Sequence, residues 1–438
     1  MAEAAAQPGS PTTGYQIEGG SSLKVQLRRA NRRLRVNAFL LTAPLLLFLL
    51  ASFIVPIGMM LFRAVHDPIV GEALPRTVEA LADWDRQDLP DEAAFAAVVE
   101  DLRALRDGGT DGRAMVGRLA TRLNFEEAGV RSAITGTARK VDSMEPPYKE
   151  ALIDADREWG KRDIWATIQR LGPDYTTVHF LASLDLRYTT DGDIAPQPEE
   201  RQVYVSIWLR TLMISLTVTL ACVALGYPVA YLLATLPLRY SNLLMILVLL
   251  PFWTSLLVRT TSWIVVLGQN GVLLETLAFL SDGLEWLGLP EIIGDEGRPR
   301  LIYNLTGSIV AMTHILLPFM ILPLYSVMRG ISPSYMRAAQ NLGATPARAF
   351  LRVYLPQTVP GLGAGCILVF ILAIGYYITP AIVGGEDGTM ISNFIAHHMQ
   401  KSLNWGFAAA LGSLLLAAVM VLYWVYDRIV GINNMKLG

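Results

Sequence analysis

The sequence predicts an all-α polytopic membrane protein: six transmembrane helices, with a large helical extracytoplasmic insertion after the first. Three observations carry this. Of 438 residues, 53% are hydrophobic, at a mean hydropathy of +0.39, which is unusual for a soluble protein of that length. Six long runs are almost free of charge: Phe39–Phe62, Ile207–Leu233, Leu243–Leu267, Leu305–Met328, Leu362–Val383 and Gly406–Tyr426. About 20 apolar residues cross a bilayer as a helix, and every run reaches that length. Between the first run and the second, residues 66–200 are polar and carry 27 Asp/Glu against 16 Lys/Arg.

Residues 1–22, rich in Ala, Gly, Ser and Thr, have the composition of a disordered tail. Lys24, Arg28, Arg29, Arg32, Arg33 and Arg35 precede the first run, so residues 1–37 read as a basic cytoplasmic segment by the positive-inside rule. The run is too long for the apolar part of a signal peptide, and no small-x-small cleavage site follows Met59-Met60-Leu61-Phe62. Residues 38–65 therefore read as a retained first helix. Residues 66–204 read as an acidic periplasmic insertion, with a net charge near −11 over 66–200 from 27 acids and 16 bases. It contains helical patterns such as Asp91–Val99 and Pro147–Ile153, and is long enough for an independent domain. It reads either as a solvated acidic spacer or as a docking surface for an extracytoplasmic partner.

Residues 205–438 hold five further helices. Six crossings return Arg239, the 330–356 loop and the C-terminus to the side of the N-terminus. That loop holds Arg337, Arg348 and Arg352 and no acid, whereas Gln269–Asn304 on the other side has six acids against Arg298 and Arg300. Prolines and glycines inside the runs are tolerated because neighbouring groups re-satisfy the backbone.

The 330–356 loop is too long for a simple turn. Ser332 followed by Pro333 reads as an N-cap with proline at the first helical position, where its missing N–H costs nothing. Gly343 suits the left-handed residue that ends that helix, and Thr345-Pro346 repeats the capping signal for a second helix.

No nucleotide-cradling G-x-x-x-x-G-K-[S/T] occurs in the chain, and neither does H-E-x-x-H, a paired Cys motif or G-x-S-x-G. Without a catalytic constellation the chain does not read as an enzyme. His397 and His398 are adjacent and would point about 100° apart on a helix, against a shared metal. Cys222 and Cys366 lie in membrane runs and read as small packing residues. Asn304-Leu305-Thr306 matches a glycosylation sequon but sits at a helix start, where chance explains it.

The spacing Ala338-Ala339, Gly343, Phe350 and Leu355-Pro356 resembles the EAA loop, the cytoplasmic coupling motif of ABC-importer permeases. Arg210–Tyr231, with its Leu225-Gly226-Tyr227-Pro228, Leu250–Ile264, Leu316–Tyr325 and Thr379–Gly385 continue the resemblance, in order, to spermidine/putrescine-type ABC permeases. It covers about residues 36–65 and 200–435, and leaves out the insertion. The resemblance implies the type I ABC-importer permease fold in a bacterial inner membrane. It further implies a second, different permease, a periplasmic solute-binding protein, and two cytoplasmic ATPase subunits that bind the ATP and Mg. This chain would hold no cofactor and bind no nucleic acid. ATPase coupling would fall to Arg337, Ala338, Ala339, Asn341, Gly343, Ala344, Phe350, Leu355 and Pro356. The imported solute would be small and polar or charged, polyamine-like or related.

Two departures qualify the implication. The family usually has Glu where this chain has Arg337, and often Asp where it has Asn341. Relatives commonly carry an acid near Tyr376, where a cationic polyamine would want one, and this chain has none there.

Arg259 is the most informative residue within the runs. On a continuous helix it lies 16 residues beyond Leu243, about 24 Å at ~1.5 Å per residue, in the outer part of the hydrocarbon. It would either line the translocation path or serve as a snorkelling or interhelix packing group. His314, Tyr376 and Tyr377 are further path candidates, each also readable as a packing residue. Two other classes are weighed. An ion-coupled secondary transporter would need titratable groups in its helices, but the six runs hold no Asp or Lys. A membrane sensor with an outer ligand domain would need a cytoplasmic signalling domain, and only short polar segments face inward.

Overall fold

The computed structural model describes residues 23–276, 278–279 and 300–430. The acids expected at the outer side between residues 280 and 299, and the tail at 1–22, lie outside the described residues. Five helices are long and apolar enough to cross a membrane, or six if one bent pair counts as a single span.

The chain divides into two compact units, Met1–Met60 and Leu61–Gly438. The first is one helical rod from Leu23, through Pro44 and a π-helical turn at Leu50–Ile54. Pro56 follows that turn and cannot donate to Ser52, the fault in the ladder that the wider turn absorbs. Its apolar side chains are exposed, Leu41 by 83%, as in a helix surrounded by lipid.

In the second unit, the insertion is a folded helical domain. Helices Glu92–Asp107, Gly109–Glu126, Val130–Lys140, Tyr148–Ala155 and Arg162–Leu171 surround an apolar core, and a two-stranded hairpin pairs Leu186–Tyr188 with Ile194–Pro196. Trp165 packs between Phe95 and Trp159, with ring centroids 4.5 and 5.3 Å away. Both buried indoles find acceptors: Trp159 donates to Thr137 Oγ1 at 2.9 Å and Trp165 to the Trp159 carbonyl at 3.0 Å. The core makes the insertion a folded domain, as its length allowed.

The domain is fastened where it leaves the membrane. The Asp67 N–H donates to the Asp174 carbonyl and the Thr176 N–H to the Val65 carbonyl, both at 2.8 Å. The Asp185 carboxylate accepts from the backbone N–H groups of Val203, Tyr204 and Val205 at 3.0, 2.9 and 2.7 Å. It thereby satisfies the orphan donors that open the second span, Tyr204–Thr235. Inside the junction, Asp67 accepts from Arg122 Nε and lies 3.5 Å from His179 Nε2, while Arg122 Nη1 donates to Glu126 at 2.8 Å.

The membrane core is built from Tyr204–Thr235, Leu305–Gly330 and Leu355–Ile374. Asn304 caps the second of these, accepting from the Gly307 N–H at 2.9 Å, so the sequon asparagine is a helix cap. Two expected runs are broken. Leu243–Leu267 is two helices bent by 99°, with a 3₁₀ turn at Leu250–Trp253 and extended backbone at Thr254 and Ser255. Pro251 removes a helical donor, and the Thr254 hydroxyl takes the Pro251 carbonyl at 2.8 Å, competing with the ladder. Leu362–Val383 likewise stops at Ile374 and resumes as a short helix, Ile378–Val383. Pro380 cannot serve the Tyr376 carbonyl, which accepts from the Ser392 hydroxyl instead.

The junction makes stability depend on pH. Burial, helped by the Arg122 charge, holds the His179 imidazole below its ordinary range, although Asp67 opposes this. Burial disfavours the ionised Asp67, but His179 and Arg122 outweigh it and hold the carboxyl well below the usual carboxylate range. Below His179's ordinary value of 6.5 the unfolded chain takes up a proton that the folded chain refuses, so stability is complete above that pH and falls below it. Asp67 acts in the same direction below its ordinary value of 3.8. Acidification from about pH 7.5 to about 5.5 should therefore weaken hydrogen-exchange protection of helix Gly109–Glu126, and His179→Gln should flatten that dependence. An unchanged slope in the variant would assign the dependence elsewhere.

Candidate coupling surface and translocation path

Ser332 caps helix Pro333–Asn341 by accepting from the Ser334 N–H, and Thr345 caps Pro346–Ala349 by accepting from the Arg348 N–H. Between them Gly343 has φ +88°. Its N–H donates to the Gln340 carbonyl at 2.9 Å and the Ala344 N–H to the Ala339 carbonyl at 3.1 Å, the bond pair of a Schellman turn. This turn requires a left-handed residue, and glycine adopts that conformation without a Cβ penalty.

The expected coupling residues fall into two groups. Arg337, Ala338, Asn341 and Gly343 are exposed, and Ala339 and Ala344 half-buried, on the outward side of the turn. Phe350 instead faces inward: its ring meets Tyr231 at 5.6 Å and stacks on Tyr354 at 5.5 Å, fastening the loop to the second span. Leu355 and Pro356 open the next helix, directly after a π-helical turn at Phe350–Tyr354. Pro356 cannot donate to Arg352, which reproduces the π turn before Pro56 in the first span. The sequence reading missed Leu342. It ends the helix 90% exposed, with Tyr335 at 54% and Leu351 at 58%. The signal was present, since a leucine immediately before the C′ glycine stands outside the apolar face of a short amphipathic helix.

On the other half of the core, the two helix breaks come together. Thr260 Oγ1, beyond the first break, lies 3.2 Å from Thr379 Oγ1, beyond the second. Arg259 sits in the first turn after the bend and reaches back, donating from Nη2 to the Thr254 carbonyl at 3.0 Å and from Nε to Thr254 Oγ1 at 3.3 Å. The bend cancels the 24 Å depth expected for it on a straight helix. Its remaining N–H groups have no carboxylate partner among the described residues, and its charge lies within electrostatic reach of His314 and Tyr376. Trp263 donates to His314 Nδ1 at 3.3 Å. Tyr376 and Tyr377 occupy the second break, where Ser392 and Asn393 take their carbonyls. The structure thus gathers Arg259, His314 and Tyr376 around paired breaks, and Tyr377, 39% exposed, beside them. Irregular backbone at such a position is tolerated where it lines a cavity or is buried in protein.

Residues 211–431 match the family model of the binding-protein-dependent transport system inner membrane component, half of the chain. The chain belongs to that family. It is 33% identical over 230 residues to the spermidine/putrescine transport system permease protein PotB of Escherichia coli (strain K12), covering 52% of this chain and 79% of that protein. Its identity to PotB of Haemophilus influenzae is 34% over 236 residues, covering 54% and 78% of the two chains. The inner membrane ABC transporter permease protein YdcU of Escherichia coli is 34% identical over 235 residues, covering 51% and 71%. Among solved structures, a bacterial alginate ABC transporter in complex with an alginate-bound periplasmic protein overlaps at a TM-score of 0.37 and 18% identity, over 52% of this chain and 78% of that one. That overlap is too loose to bear on the fold.

This inner-membrane permease is thus a multi-pass subunit of a binding-protein-dependent importer and not a catalytic enzyme. The matched region begins after the insertion, so the acidic domain lies outside the part shared with the family model.

Arg259→Met separates two roles for the arginine. If it contacts solute, uptake should fall about tenfold to a hundredfold, the range for losing a hydrogen bond to a charged group, with thermal stability retained. Unchanged uptake with a lowered melting temperature would assign it to holding the Thr254 break.

Proposed function

We propose that this permease pairs with a second, different permease and works with a periplasmic solute-binding protein. Two cytoplasmic ATPase subunits, which bind ATP and Mg, would drive it, with both termini of this chain in the cytoplasm. The observation that carries the coupling assignment is the Schellman turn with exposed Leu342 at its tip, flanked by Arg337, Arg348 and Arg352. An apolar tip with a basic rim suits a groove of complementary charge, in keeping with arginine at position 337 in place of the family's acid. Closure of the ATPases would pull on the loop, whose flanking helices run straight into the membrane core.

The solute is read as small and polar or charged, of the polyamine-like class for which the PotB relatives are named. Arg259 favours a second reading, a solute bearing an anionic group, because a guanidinium at the paired breaks would repel a polyamine. Uptake assays with spermidine and with a small dicarboxylate distinguish them: saturable spermidine uptake supports the first, and uptake of the anion alone the second.

Leu342→Asp should abolish co-purification of an ATPase with the detergent-solubilised permease while leaving its membrane level unchanged. Retention of the ATPase would exclude Leu342 from the contact. Gly343→Pro should leave membrane insertion intact but separate ATP hydrolysis from uptake, because proline cannot adopt φ near +88°. Normal coupling in that variant would remove the turn from the mechanism.

A further inference from the structure

A cleft of about 1080 Å³ opens between insertion helix Gly109–Glu126 and the turn at residues 401–406 that leads into the last span. Its walls carry Arg63, Arg118, Arg122, Arg131 and Lys401, and Asp67 is the single carboxylate among the described residues lining it. The concentration of positive charge stands against the insertion as a whole, where 27 acids outnumber 16 bases over residues 66–200. Asp67 and Glu126 compensate Arg122, which leaves Arg63, Arg118, Arg131 and Lys401 as the cleft's charges with no carboxylate partner among the described residues.

Arg118, Arg131 and Lys401 are exposed, and among the described residues their side chains form no hydrogen bond or ion pair. Arg122 is the built part of the site. Its side chain is only 4% exposed; Nε and Nη1 are used by Asp67 and Glu126, and Nη2 is buried with no partner among the described residues. A buried guanidinium N–H left unpaired is costly, and several like charges converging on one cleft raise its potential further. An anion in the cleft lowers that potential. A phosphate group offers several acceptor oxygens in the geometry that an arginine fork matches bidentately.

Position narrows the ligand. Arg63 ends the first span and lies over the ring of Trp405, which begins the last span, with 5.9 Å to the centroid. The cleft therefore opens at the start of the last span, at head-group level, where tryptophan and basic residues gather. We propose that this cleft binds a phosphate group at the outer membrane surface, carried either by a phospholipid head group or by a free phosphate-bearing solute. The site is independent of the transported solute and of the coupling loop.

The test uses the full chain purified in an uncharged detergent. Its melting temperature is followed during titration with inorganic phosphate and, separately, with a short-chain phosphatidylglycerol, against chloride at matched ionic strength. Arg118→Ala/Arg131→Ala/Lys401→Ala is compared with the parent and with a control, Arg113→Ala/Lys140→Ala, which removes exposed charges outside the cleft. The expected result is saturable stabilisation of the parent and control, with the half-saturating concentration raised at least tenfold in the triple variant. Response to phosphatidylglycerol alone assigns the lipid head group, and response to inorganic phosphate assigns the free anion. Stabilisation no greater than with chloride, or equal in the triple variant, overturns the proposal.

Discussion

Close approach of three helices at one methionine sets the membrane core. Met320, in the middle of Leu305–Gly330, lies against Gly226 of the second span and Gly365 of Leu355–Ile374. A Cβ at either glycine would stand 3.0 Å from Met320 Cγ or 2.7 Å from its sulfur. One turn further along, a Cβ at Gly361 would meet Val327 at 2.9 Å. With lipid as apolar as the side chains, helix association here rests on van der Waals packing, and small residues let the backbones approach. Cys222 belongs to the same packing: buried, it donates to the Thr313 carbonyl at 3.6 Å.

That packing would give the proposed coupling loop something stiff to move. The loop joins two of the three core helices, and Phe350 and Tyr354 seat it against Tyr231 of the third. Arg329 adds a tie at the same end by donating to the Ala234 carbonyl at 3.0 Å. Closely packed helices shift as bodies rather than deform, so a force applied at the loop would reach the helices as displacement. The breaks at Thr254-Ser255 and Gly375–Tyr377 are where such a displacement meets backbone already freed from the helical ladder.

The insertion obeys a different physics. Its core is that of a water-soluble domain, with indoles buried around Phe95 and their N–H groups satisfied. It joins the membrane core through an apolar cluster that sets Ala182 and Phe125 against Ile207, Phe407 and Leu411, and through polar contacts: Asp185 on the donors of the second span, and Asp67, Arg122 and His179 beside Phe407, whose ring lies 6.3 Å from His179. Tyr204 adds a bond to His398 Nε2 at 3.0 Å, and Ser402 takes the other ring nitrogen at 2.8 Å. His398 therefore serves this seam rather than pairing with His397. Buried ionic contacts of this kind are costly to form, and breaking one partner is costlier.

Much of this was determined by the sequence itself, because the signals are local. Uninterrupted apolar length marks spans, basic flanks mark a side, and Ser332-Pro333, Gly343 and Thr345-Pro346 dictate caps and a turn through bonds within a few residues. The family resemblance also lay in contiguous motifs. Tertiary structure decided what depends on partners distant in sequence. Pro251 and Pro380 signalled weakness in two runs, but prolines also sit inside the unbroken helix Leu305–Gly330 at Pro318 and Pro323. Whether a freed carbonyl finds another donor, as Tyr376 finds Ser392, is set 16 residues away. The same holds for Arg259, whose environment follows from a bend and not from its count along a helix. It holds for the cationic cleft too, whose charges come from four separate stretches of an acidic chain and meet only because the fold brings them together.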